Sequence, residues 1–416
     1  MKESQGNGVV TSSSRPLQIV LLIIGAGALL GLIMMAPLSD ITQWGIDGNV
    51  FRAGAKALRL GESPYDEPTI LRHADGGPLG NIHNFVYVPI FAWLLGPLGW
   101  FSAEVGLRLW FLANLIMYFA SALLLLSAIN WTPSPKTFLV LMLALVAFPP
   151  LRTTLIIGQN TIFLLFWFSL SYFLLKRSRP VLSGLALSLS FFKPHLILLL
   201  PFFALKRRWR VIGGWGIGLV LSFLPFWYLL GDWLASVVNT YELNLATGGC
   251  LRMVSITTLV RCFSPPGIAI VIFWILSLIL IGGAFWLASG RNTPQQPTFD
   301  RDMALILCVT TLALDNIRIA DLMLLLLPLL VILRDWPRLT SLGQRLWQAA
   351  MLGAVYIIPY TLDLMQGRNI AYILPLWYAG VSLAITLALL QLYRLPAAST
   401  PPLDASTGQE TYVASN

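Results

Sequence analysis

Residues 17 to 37 read LQIVLLIIGAGALLGLIMMAP, and residues 40 to 65 read DITQWGIDGNVFRAGAKALRLGESPY. The first stretch is a run of about 21 residues without a charge, enough for a helix to cross a ~30 Å hydrocarbon core. A cleaved leader would have a shorter apolar core ending in a small-residue cleavage site, so a retained first helix is expected. The second stretch sets two carboxylates, Asp40 and Asp47, and a basic amphipathic helix directly behind that span. An acid at the mouth of a membrane protein is costly to keep unless it has a task.

The rest of the chain agrees with this start. Of 416 residues, 57% are hydrophobic and 11% charged, and the mean hydropathy is +0.75, which excludes an ordinary soluble domain. Apolar runs separated by short polar or Pro/Gly breaks, without period-2 alternation, predict helices and not a membrane barrel. The fold class expected is an all-α integral membrane protein, a polytopic helical bundle in a lipid bilayer. The net charge of +9 sits at the edges of apolar runs, which excludes a nucleic-acid partner and fits cytoplasmic loops enriched in Lys and Arg. Cys250 and Cys262 share one outer loop and could form a disulfide, whereas Cys308 lies within a span; no metal-ligand spacing is present. The ends, 1–16 and 395–416, are rich in Ser, Thr, Pro and Gly and are expected to be disordered cytoplasmic tails.

With the N-terminus inside, the first helix delivers an outer loop, 38–105. If Phe85 to Phe101 then crossed, the basic loops at 176–179 and 206–210 would both lie outside, against the positive-inside tendency. That segment is therefore expected to be re-entrant or in-plane. Further crossings are expected near 106–130, 137–149, 159–175, 181–192, 194–205, 210–230, 267–289, 303–314, 319–333, 346–362 and 371–393. Together they give a transmembrane domain over 17–394 with about twelve helices and both ends inside. Several of these are short: twelve helical residues rise only about 18 Å. The pairs 181–192 with 194–205, and 303–314 with 319–333, should thus meet partway across the bilayer. Their junctions, Lys193-Pro194-His195 and Asp315 to Asp321, would place polar groups at membrane depth, where such groups persist only when paired or facing a watered cavity.

Within the first loop, Asp47 reads as an N-cap, Val50, Phe51, Gly54, Ala57 and Leu58 as an apolar side, and Gly61 as a terminator. Arg52, Lys56 and Arg59 lie on the other side, as in an interfacial helix beside lipid phosphates. Gly158-Gln159-Asn160 opens a later span at the same face. Each signal alone has a plain reading: a cap for Asp47, Gln159 and Asn160, a buried partner for a carboxylate for Lys193, a core histidine for His195. Their convergence on one face is what points to a site.

The order of an acid after the first span, Phe51 to Tyr65 with Ala57-Leu58, Gly61 and Pro64-Tyr65, then Tyr87-x-Pro89, Gly158-Gln159-Asn160, Lys193-Pro194 and Lys206-Arg207-Arg208-Trp209-Arg210, resembles glycosyltransferase family 87. These are GT-C membrane enzymes that use polyprenyl-phosphate sugars, as in the mannosyltransferases of bacterial envelope glycolipids. The resemblance implies an inverting transfer to a glycolipid or glycan acceptor on the outer face of the bacterial inner membrane. It implies a first-loop Asp as base, matched here by Asp47 with Asp40 as the fallback, and no cofactor or metal. Lys193, His195 and Arg318 are then the deep cations for a leaving phosphate, with Arg52 and Lys56 nearer the headgroups. Gln159, Asn160, Tyr65 and Tyr87 complete the substrate-binding set. Family members often carry a His in the late outer junction, where this chain holds Asp321, and Arg318 one turn earlier is placed to pair with it. The competing functions are a transporter or lipid flippase, which would need an internal repeat that the sequence does not display, and a non-catalytic scaffold, which leaves the polar breaks unexplained.

Overall fold

The computed structural model describes residues 45–79, 85–246, 255–256, 266–290, 292–314, 317–365 and 374–393. The first span at 17–37, Asp40, Cys250, Cys262, the pair Asp315 and Asn316, and both tails lie outside the described residues. Among the described residues every regular element is helical: α1 (Ile46–Arg59), α2 (Glu67–His73), α3 (Pro89–Leu94), α4 (Ala103–Ala128), α5 (Pro135–Val146), α6 (Pro149–Ile157), α7 (Thr161–Lys176) and α8 (Pro180–Ser188). There follow α9 (Leu199–Leu205), α10 (Trp209–Phe223), α11 (Leu230–Ala246), α12 (Pro266–Leu287), α13 (Pro297–Ala313), α14 (Leu326–Asp335), α15 (Leu342–Met365) and α16 (Leu374–Leu392). Short 3₁₀ turns at Gly96–Trp100, Pro194–Leu198, Leu224–Leu229 and Ile319–Leu325 join or extend them.

Local chemistry accounts for most boundaries. Proline opens α3, α5, α6, α8, α12 and α13, where its missing N–H is one of the unpaired donors of a first turn. Ser102 and Ser134 cap α4 and α5 by accepting from Val105 N–H and Thr137 N–H. The stretch 85–101 becomes two short pieces, α3 and the 96–100 turn, neither long enough to cross a bilayer.

Three helical runs are long and apolar enough to cross on their own: Ala103–Ala128, Trp209–Thr240 and Ile270–Leu287. The pair α5–α6, bent by 48°, makes a fourth if it is one span. Among the described residues the expected count of about twelve is not reached, and Thr161–Lys176, His195–Leu205 and Ala379–Leu392 are apolar but shorter. The sequence reading also ended a span at 149, where the chain instead bends at Pro149 and continues as α6.

The shortness has structural meaning. Helix α8 has nine residues, about 14 Å of rise, before the chain turns at Lys193 and descends through α9 to Lys206. Helix α10 then packs alongside α8 so closely that a Cβ on Gly184 would lie 2.1 Å from Val211 O, and one on Gly214 2.3 Å from Val181 O; only glycine permits this approach. Helix α13, buried throughout from Phe299 to Ala313, rises through the centre, and the chain returns through 319–325 and α14. The two half-depth hairpins meet at their tips. Large apolar side chains remain exposed on α10, α11 and α12, among them Val220, Leu221, Leu234, Trp274 and Leu278, the surface that a lipid solvent favours.

At the opposite end of the hairpins lies a band of buried charge. Asp300 takes Lys176 at 2.7 Å, Arg334 and the Tyr172 hydroxyl. Asp302 takes Lys206 at 2.6 Å, Asn292 and Tyr393. Asp335 takes Arg301 and Arg334 at 2.9 Å and Arg338 at 3.2 Å. These ion pairs tie α7, α9, α13 and α14 together, and the Tyr393 hydroxyl joins the end of α16 to Asp302.

Candidate functional site

Helix α1 begins on Gly45, which sits in the left-handed region at φ 79° and donates its N–H to Ile156 O at 2.8 Å. Asp47 therefore falls inside the first turn and makes no capping hydrogen bond, which corrects the N-cap reading. Its carboxylate instead accepts from Gln159 Nε2 across the gap to the 158–160 turn. That turn comes so close because Gly158, at φ 75°, has no Cβ; one added there would lie 2.9 Å from Gly48 N. Trp110 Nε1 donates to Gly158 O at 2.8 Å and fixes the turn from α4.

Behind Gln159 the hairpin tips join. Lys193 Nζ donates to Asp321 Oδ1 at 2.7 Å, Thr161 Oγ1 at 2.9 Å and Gln159 Oε1 at 3.3 Å. The second oxygen of Asp321 lies 3.3 Å from His195 Nε2 and accepts the Arg318 backbone N–H at 3.0 Å, while Thr161 Oγ1 stands 3.0 Å from its first. Asp321 is thus a saturated carboxylate that orders Lys193, His195 and Thr161. Its partners are Lys193 and His195, and it meets Arg318 through the main chain and not, as the sequence suggested, as an ion pair. Burial pushes the Asp47 carboxyl above its ordinary range, with Arg318 and Lys193 drawing it partly back. The ring of Tyr87 packs on Phe51 at 5.1 Å and near Phe192 at 6.2 Å, and its hydroxyl stands within electrostatic reach of Asp47, Arg318 and Asp321. Beside that hydroxyl lies the fully buried Asn160 amide, neither end of which meets hydrogen-bond geometry with a described group.

The structure thus brings together Asp47, Gln159, Asn160, Lys193, His195, Arg318, Asp321 and Tyr87. Three other candidates stand apart. Arg52 is fully buried, with Nε on Asn49 Oδ1 at 2.9 Å, Nη1 on Asp75 at 2.9 Å and Phe101 O at 3.1 Å, and Nη2 on His73 O at 2.6 Å. Lys56 Nζ bonds both oxygens of Asp75, at 3.0 and 3.1 Å. Burial raises the Asp75 carboxyl, but Lys56 and Arg52 outweigh it and hold the group below the ordinary range. Helix α1 is accordingly not an interfacial helix lying on a leaflet: residues 48–55 and Ala57 are buried on both faces under α2, α3, the 96–100 turn and α4. Tyr65 gives its hydroxyl to Tyr87 O at 2.8 Å, so it supports the site from behind. Thr161, which the sequence reading passed over, belongs to the site; its place directly after Gln159-Asn160 was the available signal.

Asp47 faces a position from which it can accept a proton, and the cations behind Gln159 can receive an anion, the two needs of a displacement at a phosphate-bearing carbon. No curated protein matches the chain. The family model described as glycosyltransferase family 87 matches residues 85–309, which hold Tyr87, Gln159, Asn160, Lys193 and His195 but neither Asp47 nor Asp321. That match spans more than half of the chain, which therefore belongs to glycosyltransferase family 87.

Proposed function

We propose that this glycosyltransferase moves a sugar, mannose or another hexose or pentose, from a polyprenyl-phosphate donor to a hydroxyl of an envelope glycolipid or glycan on the outer side of a bacterial inner membrane. In this reading the acceptor oxygen attacks C1 of the sugar as its proton passes to Asp47. The bond from C1 to the phosphate oxygen breaks, polyprenyl phosphate departs with the electron pair, and the anomeric configuration inverts. The observation that carries it is Asp47: a carboxylate free of capping duty, raised above its usual range by burial, one amide away from a deep ammonium. A base poised upward is better matched to a proton held by an alcohol.

The cations have unequal roles. All three protons of Lys193 are in use, the longest bond being the 3.3 Å one to Gln159, so an arriving phosphate would replace that contact first. Arg318, half-buried and acting on Asp47 through space, supplies the second positive charge. Depth supports a lipid-linked donor. Thr161 and Lys176 are the two ends of α7, about 22 Å apart at 1.5 Å per residue, less than the ~30 Å hydrocarbon core. With the Lys176 end at the inner surface, the site lies sunk below the outer edge, where a lipid phosphate can reach it. The threading with about twelve crossings and both ends inside belongs to the same proposal. Membership of the family speaks against a transporter.

The test is a panel of polyprenyl-phosphate sugars incubated with the purified protein and a membrane lipid extract. A donor-dependent mass shift in the lipids, with inverted anomeric configuration in the product, is the expected result. No shift with any donor, or retention of configuration, would overturn the reading.

A further inference from the structure

Residues 85–88 form neither helix nor strand, so their carbonyls have no regular partners, and buried ones must find others. Three in succession take side-chain donors from distant parts of the chain. Ser236 Oγ donates to Phe85 O at 2.9 Å, Trp233 Nε1 to Val86 O at 3.1 Å, and the Tyr65 hydroxyl to Tyr87 O at 2.8 Å. Two of these donors come from α11. Over 231–240 that helix is exposed except for buried Ser236 and half-buried Trp233 and Thr240, a single stripe at i, i+3 and i+7 turned toward the body. The same end of α11 takes a further polar tie, Ser63 Oγ to Asp232 Oδ2 at 3.0 Å, and the chain enters it through a non-helical residue, Phe226. An otherwise exposed arm thus holds the main chain of the one loop that delivers Tyr87 to the charged pocket.

Resting on the reading of the preceding subsection, we propose that α11 is a positioning arm for the transfer reaction. Trp233 and Ser236 fix the 85–87 backbone, and through it the Tyr87 hydroxyl, against the sugar that lies between Asp47 and Arg318. Neither residue touches substrate. Both act through Tyr87, whose ring is confined by Phe51, Phe91 and Phe192 and whose hydroxyl therefore moves with its backbone. A displacement on the order of 1 Å at a substrate-orienting group can cost as much as about a hundredfold in rate.

Trp233→Phe removes the N–H with the smaller ring of the indole but keeps an aromatic ring to pack on Phe223; Ser236→Ala removes only the hydroxyl. In the purified full chain, the double variant should show faster amide exchange over 85–91. It should transfer mannose from polyprenyl-phosphate mannose with kcat/KM lowered about tenfold. In a Tyr87→Phe background the same pair should cost less than about twofold more, because the arm then has no hydroxyl to place. Exchange that does not change, or an equal loss with and without the Tyr87 hydroxyl, would overturn the proposal and leave the bonds as mere satisfaction of buried carbonyls. If the wild-type chain transfers no sugar from any donor, the functional reading falls separately. Exchange then decides alone: faster exchange keeps the arm, and unchanged exchange removes it.

Discussion

Two knots of buried charge stand at opposite ends of α7, about 22 Å apart, one inner and one outer in the proposed orientation, and they are built differently. In the inner one, Asp300, Asp302 and Asp335 each bond at least one cation at 2.9 Å or less, and further donors occupy the remaining lone pairs. In the outer one Asp321 is treated the same way, yet Asp47 receives a single amide and no cation contact among the described residues, and the buried Asn160 amide beside Tyr87 makes no hydrogen bond of good geometry among them. Burial of charge is costly unless it is paired. The inner knot meets that cost with ion pairs that hold helices together, whereas the outer knot leaves hydrogen-bonding capacity unmet where a substrate would supply it.

The largest effect that separates the two knots is on rate. Asp47→Asn should lower transfer by about a thousandfold, within the range of a lost general base, while Asp335→Ala should leave the rate per folded molecule within about twofold. Stability should sort them the other way. Asp335→Ala leaves Arg301 and Arg334 without their shared carboxylate and is expected to cost about 3–5 kcal/mol, read as a lower unfolding temperature in detergent. Because the folded Asp47 titrates above its ordinary value of 3.8, its ionisation opposes the folded state. The stability tied to it is present at low pH and lost as pH rises through the folded pKa. At neutral pH the Asn variant should unfold no earlier than the wild type, and an earlier unfolding would place Asp47 with the structural ion pairs.

Smaller effects refine the contrast. Gln159→Ala should reduce kcat/KM about a hundredfold, the lower end for a lost positioned donor, with a changed acid limb in the pH profile because Asp47 loses its hydrogen bond; an unaltered profile would detach Gln159 from the base. Asp75, elsewhere in the same loop, should show the opposite pH sign to Asp47. Asp75 titrates below 3.8, so the stability it gives with Arg52 and Lys56 persists above that value and is lost as pH falls through the folded pKa. Lys56→Met should weaken that ion pair by about 0.2–1 kcal/mol, the scale of a partly exposed pair, detected as earlier proteolysis near Asp75. Cleavage unchanged in that variant would show that Arg52 alone secures the loop.

Much of the outer knot was readable in the chain. Lys193-Pro194-His195 and Asp315 to Asp321 interrupt runs too short to cross, so a meeting of the two junctions followed from length and helix rise. Gly158-Gln159-Asn160 was legible because glycine before polar residues marks a turn. What was hidden is tertiary. Arg52 follows the spacing of a solvated basic face, but its partner Asp75 lies 23 residues away, beyond any helical period. Asp47 looks like a cap because local sequence does not reveal that Gly45 starts the helix in a left-handed conformation. The inner knot was unreadable for the same reason: Asp300, Asp302 and Asp335 sit among basic loops that charge bias explains without any pairing.

The most direct test of the contrast measures one variant twice. Asp47→Asn, purified beside the wild type, is assayed for transfer from a polyprenyl-phosphate sugar and for unfolding temperature at neutral pH. Transfer lost by about a thousandfold with unfolding at the same or a higher temperature is the predicted result. Full transfer, or a loss of transfer that follows a fall in unfolding temperature, would contradict Asp47 as the base.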